Sequence, residues 1–160
     1  MLVGPALAAD ETTAVVTAGA LSMSANVLVS DFVGVNITGV AQTTTATMDA
    51  YTVSDLRGSG AGWHVTAVAS TFTNATTDTL ALGSLTSELW TVTSNTVGGD
   101  PTGMVPTILD NGAKTIATAA TDDGMGVYVF SDNELTLSLP ADVKAGGYVS
   151  TVTVSVTTAP

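Results

Sequence analysis

Few side chains in this sequence have the chemistry for catalysis. It has one histidine, His64, and no cysteine, so a nucleophilic serine would have to use His64 as its base. His64 directly follows Trp63 inside an alternating stretch, where a surface residue of a strand is expected and no strained nucleophile turn is present. One histidine without cysteine also leaves zinc and copper short of their preferred ligands. The sequence therefore predicts neither nucleophilic catalysis nor a transition-metal site.

Two pairs of neighbouring carboxylates are the remaining groups of chemical interest. Asp122 and Asp123 lie in TDDGMG, and Asp132 and Glu134 lie in SDNE. A carboxylate pair could hydrolyse a wall polysaccharide, and clustered oxygens could bind calcium. Both stretches are rich in turn residues, and neither has the spacing of a calcium-binding loop. We predict plain turns with no cofactor and no metal, with weak calcium binding as an alternative and catalysis as a weaker one.

The stretch DLRGSGAGWHV, residues 55–65, has three glycines and raises the question of a phosphate-binding loop. Such a loop needs a following helix and a lysine that neutralises the phosphate, but here the nearest cation, Arg57, precedes the glycines. The residues that follow alternate with a period of two, which is typical of a half-buried strand. One face of that strand would carry Trp63, Val65, Ala67 and Ala69, and the other His64, Thr66 and Ser70. The glycines are therefore predicted to form a turn that leads into a strand.

Composition limits the partners of the chain. Its 160 residues are 45% hydrophobic and only 11% charged, and three Lys+Arg against 14 Asp+Glu give a formal net charge of −11. This charge would repel a phosphate backbone and would oppose attachment to anionic lipid, which argues against nucleic acid and membrane surfaces as partners. No apolar run reaches the roughly 18 residues of a membrane-spanning helix, so no integral membrane segment is predicted.

Short runs of alternating apolar residues recur along the chain, separated by glycine, asparagine, aspartate and proline. They are Leu21, Met23, Ala25 and Val27; Val33, Val35 and Ile37; Tyr51 and Val53; Leu135, Leu137 and Leu139; and Val152, Val154 and Val156. This spacing predicts an all-β fold, an antiparallel β-sandwich or partly closed barrel of about nine or ten strands.

Three segments have separate structural predictions: residues 113–121, 94–106 and 148–158. Residues 113–121, AKTIATAAT, fit a short helix and a strand equally well. Residues 94–106 are the most loop-like and are expected on the surface between strands. The C-terminal strand, residues 148–158, has the longest alternation, and we expect it to be central to its sheet.

The N-terminus has the features of a processing site. Ala6 and Ala8 form a small-x-small pattern before an acidic, threonine-rich start. We interpret residues 1–9 as a signal-peptide remnant or an N-terminal arm, and residues 10–160 as a single exported domain.

With these motifs, the sequence resembles the WxL surface domains of Gram-positive bacteria. The turn preceding the first tryptophan matches through Asp55, Arg57, Gly58, Gly60, Gly62 and Trp63, with Val65 in place of leucine. The last strand, YVSTVTVSVTTAP, matches through Tyr148, Thr151 and Thr153, but Val154 stands in place of the second tryptophan and Val156 in place of its leucine. The resemblance extends from about residue 20 to the end of the chain.

The resemblance implies a non-enzymatic, extracellular domain that associates noncovalently with the cell envelope, with a cell-wall polymer, peptidoglycan, as the expected partner. It implies envelope-binding candidates on the sheet face of the tryptophan and the last strand: Trp63, Val65, Tyr148, Val154 and Val156. An exposed Trp63 ring would suit stacking on a sugar. The loss of the second tryptophan puts binding in doubt and leaves the fold intact.

A second hypothesis is a self-assembling subunit of an extracellular fibre or surface layer. The N-terminal stretch ADETTAVVTAGALSM could be donated as a strand that completes a neighbour's open sheet. The scarcity of lysine also removes the charges that commonly block pairing at sheet edges. The chain would then form a homo-oligomer or fibre.

Overall fold

The computed structural model describes residues 12–24, 27–95, 101–103 and 106–159. Twelve strands and no helix are found in these ranges. They are β1 (Leu21–Met23), β2 (Gln42–Met48), β3 (Tyr51–Asp55), β4 (Trp63–Ala69), β5 (Leu85–Ser87), β6 (Val92–Asn95), β7 (Thr102–Gly103), β8 (Thr107–Ile108), β9 (Lys114–Ala119), β10 (Gly126–Phe130), β11 (Asn133–Leu139) and β12 (Val152–Thr158).

The strands form three open sheets of four strands, with orders β1-β3-β10-β6, β2-β11-β5-β8 and β12-β4-β9-β7. Every pairing between these strands is antiparallel. The predicted all-β antiparallel class is confirmed: the arrangement is consistent with a sandwich, and none of the described sheets closes into a barrel. The strand count exceeds the expected nine or ten, and β7 and β8 are pairings of only two residues each.

One hydrophobic core joins the inner faces of the sheets. Burial alternates along β3 and β4 in step with the side-chain period of a strand. Aromatic rings occupy the centre, with Tyr51 stacked on Phe130 at a centroid distance of 4.7 Å. The largest fully buried side chains are Trp63, Trp90, Tyr51, Tyr128 and Phe130. Full burial of an apolar side chain such as Phe130 stabilises the fold by about 1.5–3 kcal/mol.

The ambiguous segment 113–121 forms strand β9. Its pairing with β4 brings Ala119 opposite Trp63 and Ala117 opposite Val65, with a bulge between Val65 and Thr66. Ile116 and Ala117 are both buried. Tertiary packing against β4 therefore decides between two local preferences that the sequence leaves equal.

Two expectations about strands are wrong. Val33, Val35 and Ile37 lie outside every strand, and Val33 is 72% exposed. The C-terminal strand β12 is not central: it is hydrogen-bonded to β4 alone and lies at the edge of its sheet. Alternation identifies the faces of a strand but does not identify its neighbours, so it cannot place a strand at the centre or the edge.

The predicted loop 94–106 is interrupted by strands. β6 extends to Asn95, and β7 pairs Thr102 and Gly103 with β9. The rest of that loop, residues 96–100 and 104–105, lies outside the described residues, and so does the predicted signal-peptide remnant, residues 1–9.

Candidate functional site

The glycine-rich stretch forms a turn that leads into β4, as predicted. Gly58, Gly60 and Gly62 have φ angles of +66°, +65° and +66°, in the left-handed region that favours glycine. At Gly62 a Cβ atom would lie 2.6 Å from the carbonyl oxygen of Ala119, so the backbones approach too closely for a side chain. No helix follows the glycines, and a phosphate-binding loop is excluded.

Asp55 and Arg57, on either side of the first turn residue, form an ion pair. Arg57 donates from Nε to Asp55 Oδ1 at 2.9 Å and from Nη2 to Asp55 Oδ2 at 2.8 Å. The side chain of Asp55 is fully buried, and that of Arg57 is 17% exposed. The hydrogen bond from Arg57 lowers the pKa of the Asp55 carboxyl and raises the pKa of Arg57. The geometry is the bidentate form that guanidinium and carboxylate groups favour.

The same guanidinium joins three segments of the chain. Nη2 of Arg57 also donates to the carbonyl oxygen of Gly62 at 2.8 Å, directly before β4. Nη1 donates to Oγ1 of Thr158, the last residue of β12, at 2.7 Å. Arg57 therefore ties the end of β3 to the start of β4 and the end of β12, and we call this group of contacts the Arg57 clamp.

Trp63 lies in the core rather than on the surface. Its side chain has 0% exposure, and its Nε1–H donates to the carbonyl oxygen of Gly124 at 2.9 Å. The ring packs against Tyr128 and Phe130 at centroid distances of 5.9 and 6.3 Å. A Cβ atom at Gly124 would lie 2.6 Å from Trp63 Nε1, so glycine is required there. The ring is not available to stack on a sugar, and its visible role is structural.

The structure brings four of the five envelope-binding candidates together. Val65 is fully buried beside Trp63, and Val154 and Val156 pair with Ala67 and Val65 across β12 and β4. Because directly paired residues share a face, the two β12 valines point inward, where they are half-buried against the core. Tyr148 lies apart, before β12, and its Oη donates to the carbonyl oxygen of Lys144 at 3.2 Å.

The outer face of the same strands presents hydroxyl groups to solvent. One row across β12, β4 and β9 is Ser155, Thr66 and Thr115, and a second is Thr157, His64 and Thr118. In each row the β12 and β4 side chains are hydrogen-bonded: Thr66 Oγ1 lies 3.0 Å from Ser155 Oγ, and Thr157 Oγ1 lies 2.8 Å from His64 Nε2. We call these six residues, together with Thr153 near the start of β12, the hydroxyl face. It contains no carboxylate and no ammonium group.

A groove lies at the other end of β12. It has a volume of about 1000 Å³, and residues 27–37 and 143–152 form its walls. Phe72, Leu137 and Leu139 contribute apolar surface to it, and Tyr148 lies on its wall. Val33, Val35 and Ile37, which alternation had assigned to a strand, are partly exposed here. No local pattern in the sequence indicates that these segments meet.

The acidic turns have structural roles. Asp132 Oδ1 accepts a hydrogen bond from the backbone N–H of Ala50 at 2.7 Å. Asp122 has a φ of +68°, and its N–H donates to the carbonyl oxygen of Gly60 at 2.8 Å. Strand β10 separates the two carboxylate pairs in the chain. In the ranges that the structure describes, no group of three or more His, Cys, Asp or Glu could hold a metal ion. Weak calcium binding stays a prediction.

Comparison with known proteins identifies one family. The WxL domain model, described as surface cell wall-binding, matches residues 9–160. No curated protein and no solved structure matches the chain. In the described part of the chain, no helix is long and apolar enough to cross a membrane.

Proposed function

Because this chain belongs to the WxL family of surface cell wall-binding domains, we propose that it is a non-catalytic module that associates noncovalently with peptidoglycan. The family match over residues 9–160 is the observation that carries the proposal. It supports a role at the cell surface with a cell-wall partner. The choice of peptidoglycan as that partner, and of the surface that binds it, is our inference.

The hydroxyl face is the surface best suited to a glycan. The inner face of β4 and β12 is covered by the core, so a polymer can reach only the outer face of these strands. Hydroxyl groups both donate and accept hydrogen bonds, as the hydroxyl and amide groups of wall glycans do. Adjacent strands lie about 4.8 Å apart, so the face offers polar groups at regular separations.

The distribution of charge also favours the hydroxyl face as the binding surface. The chain carries a net charge of −11, which would oppose contact with the anionic polymers of a cell wall. The hydroxyl face has no carboxylate, so binding there would not desolvate an unpaired charge. A face without carboxylate or ammonium groups fits a long neutral glycan better than a small charged ligand.

Cosedimentation with purified Gram-positive sacculi tests the proposed partner. We expect the full chain to pellet with walls stripped of teichoic acids at least as well as with intact walls. Pelleting with intact walls alone would identify an anionic wall polymer as the ligand and overturn the choice of peptidoglycan. Recovery of the protein in the supernatant with both would contradict wall binding itself.

A second candidate function, a self-assembling fibre subunit, is favoured by one observation. Residues 12–20 are exposed outside any strand, and Val15 and Val16 are 86% and 94% exposed. Exposed, β-branched and uncharged residues suit donation to a neighbouring molecule. Electron microscopy and sedimentation at increasing concentration test this function, and a monomer under all conditions would contradict it.

A further inference from the structure

We propose that the groove at the start of β12 accepts residues 12–18 of a second copy of this chain as an added strand. We call residues 12–18 the arm. The inference deepens the second candidate function, on which it rests, by naming the surface that receives the arm. Three properties of the described residues support it: an unpaired edge, a matching donor and the positions of the two in the fold.

The acceptor segment, residues 33–38, lies outside every strand of the described residues. Phe32 anchors its start by an edge contact with Phe72 at 5.8 Å, and Thr44 Oγ1 donates to the carbonyl oxygen of Val33 at 2.6 Å. Beyond Val33, residues 34–38 have no backbone hydrogen bond to any other described residue. Val35 and Ile37 line the groove and are 39% and 52% exposed. Toward the described residues, the segment beyond Val33 therefore leaves its backbone N–H and C=O groups unpaired beside apolar side chains, as strand addition requires.

The donor has the complementary pattern. The arm, TTAVVTA, has no charged residue. In an extended conformation Ala14, Val16 and Ala18 share one face, and Thr13, Val15 and Thr17 share the other. The first face is small and apolar and suits the groove, while the second can face solvent. Bound in this way, Val16 would lose the exposure that it has in the single molecule.

The base of the arm and the groove lie at opposite ends of β12. The arm leaves the body where the Gly19 N–H donates to the Leu56 carbonyl at 2.7 Å, next to the Arg57 clamp and the end of β12. The groove includes Val152, the first residue of β12. Seven strand residues separate these ends by about 20 Å at about 3.3 Å per residue.

This separation favours a contact between molecules over one within a molecule. The fully extended arm is about 23 Å long. To reach the groove of the same molecule, it would have to reverse direction and use nearly all of this length. The arm of a second copy can enter without reversing. Each molecule then donates at one end and accepts at the other, and repetition of such a head-to-tail contact builds an open filament.

Disulfide trapping tests the contact because the chain has no cysteine of its own. Full-length Val16→Cys and isotopically labelled Val35→Cys are mixed in equal amounts and oxidised, and the linked dimers are sorted by mass. We expect the mixed dimer to exceed both like-with-like dimers together. The matched control mixes Val16→Cys with Thr115→Cys, whose cysteine would lie on the exposed outer face of β9, and we expect at least fivefold less mixed dimer there.

The outcomes distinguish two hypotheses: that the groove accepts the arm, and that the protein forms fibres. A mixed dimer no more abundant than in the Thr115 control would overturn the groove as acceptor, even if the wild-type protein forms fibres. An abundant mixed dimer from a protein that never forms fibres would support the arm-to-groove contact and contradict the fibre function. Val35→Asp in the wild-type background gives an independent check, since a charge in the groove should lower any self-association at least tenfold.

Discussion

The guanidinium of Arg57 holds the fully buried carboxylate of Asp55 with two hydrogen bonds of 2.9 and 2.8 Å. Loss of one partner from a buried pair leaves an uncompensated charge, which costs about 3–5 kcal/mol. Arg57→Ala should therefore lower the free energy of unfolding by about this amount in urea titrations. Arg57→Lys should recover only part of it, because lysine cannot form the bidentate geometry.

The exposed pair of Lys144 and Asp78 is the matched control for the clamp. The side chain of Lys144 is 71% exposed, so Lys144→Ala should leave the urea midpoint unchanged. If Arg57→Ala is also as stable as the parent protein, the clamp does not stabilise the fold.

The lowered pKa of Asp55 predicts how stability depends on pH. Since the folded-state pKa lies below the unfolded value of about 3.9, the stabilisation is complete above that value and is lost as pH falls through the folded pKa. Asp55→Asn removes this titration, so its stability should fall less steeply than that of the parent between pH 5 and pH 2. Equal slopes in acid unfolding curves would contradict the assignment.

Substitutions of the buried Trp63 distinguish a structural role of the ring from a binding role. Trp63→Ala should cost about 3–5 kcal/mol through the cavity that it leaves. Trp63→Phe keeps most of the apolar contact but leaves the Gly124 carbonyl unpaired, which costs about 1–3 kcal/mol. We expect folded Trp63→Phe to pellet with sacculi as the parent does. Loss of pelleting without loss of folding would make the ring a binding residue.

Because β12 lies at the edge of its sheet, its half-buried valines contribute less to the stability of the fold than fully buried valines would. Val154 is half-buried and faces the core, so Val154→Asp should destabilise the protein by about 1–3 kcal/mol without abolishing folding. Thr153 is exposed, and Thr153→Asp should melt close to the parent. Thermal unfolding of both variants measures the difference. Equal melting temperatures would show that Val154 does not pack against the core.

Much of the fold was predictable because the period of two is a local property. The alternation in residues 63–69 correctly placed Trp63 and Val65 on one face of β4 and His64 on the other. The same pattern in Val33, Val35 and Ile37 did not give a strand. A strand also needs a partner strand, and the local sequence does not indicate whether one is present.

The candidate site was predictable in its residues but not in its contacts. Asp55, Arg57 and the glycines stood out as a motif, but Arg57 reaches Thr158 across 101 positions of the chain. The hydrogen bond of Trp63 to Gly124 spans 61 positions. Such contacts depend on how the sheets pack, so the sequence could not reveal that Trp63 is fully buried or that the hydroxyl face is the exposed side.

The equilibrium affinity of Thr66→Val/Ser155→Ala for purified peptidoglycan sacculi tests the hydroxyl face most directly. These two residues lie opposite each other in β4 and β12, and the substitutions replace the Thr66 hydroxyl with a methyl group and remove the Ser155 hydroxyl. The matched control is Thr43→Val/Ser138→Ala, an opposite pair in β2 and β11 of another sheet. With about 1 kcal/mol for each lost hydrogen bond, we predict a Kd at least tenfold higher for the first variant and an unchanged Kd for the control. Parent-like affinity of the first variant would contradict binding through this face.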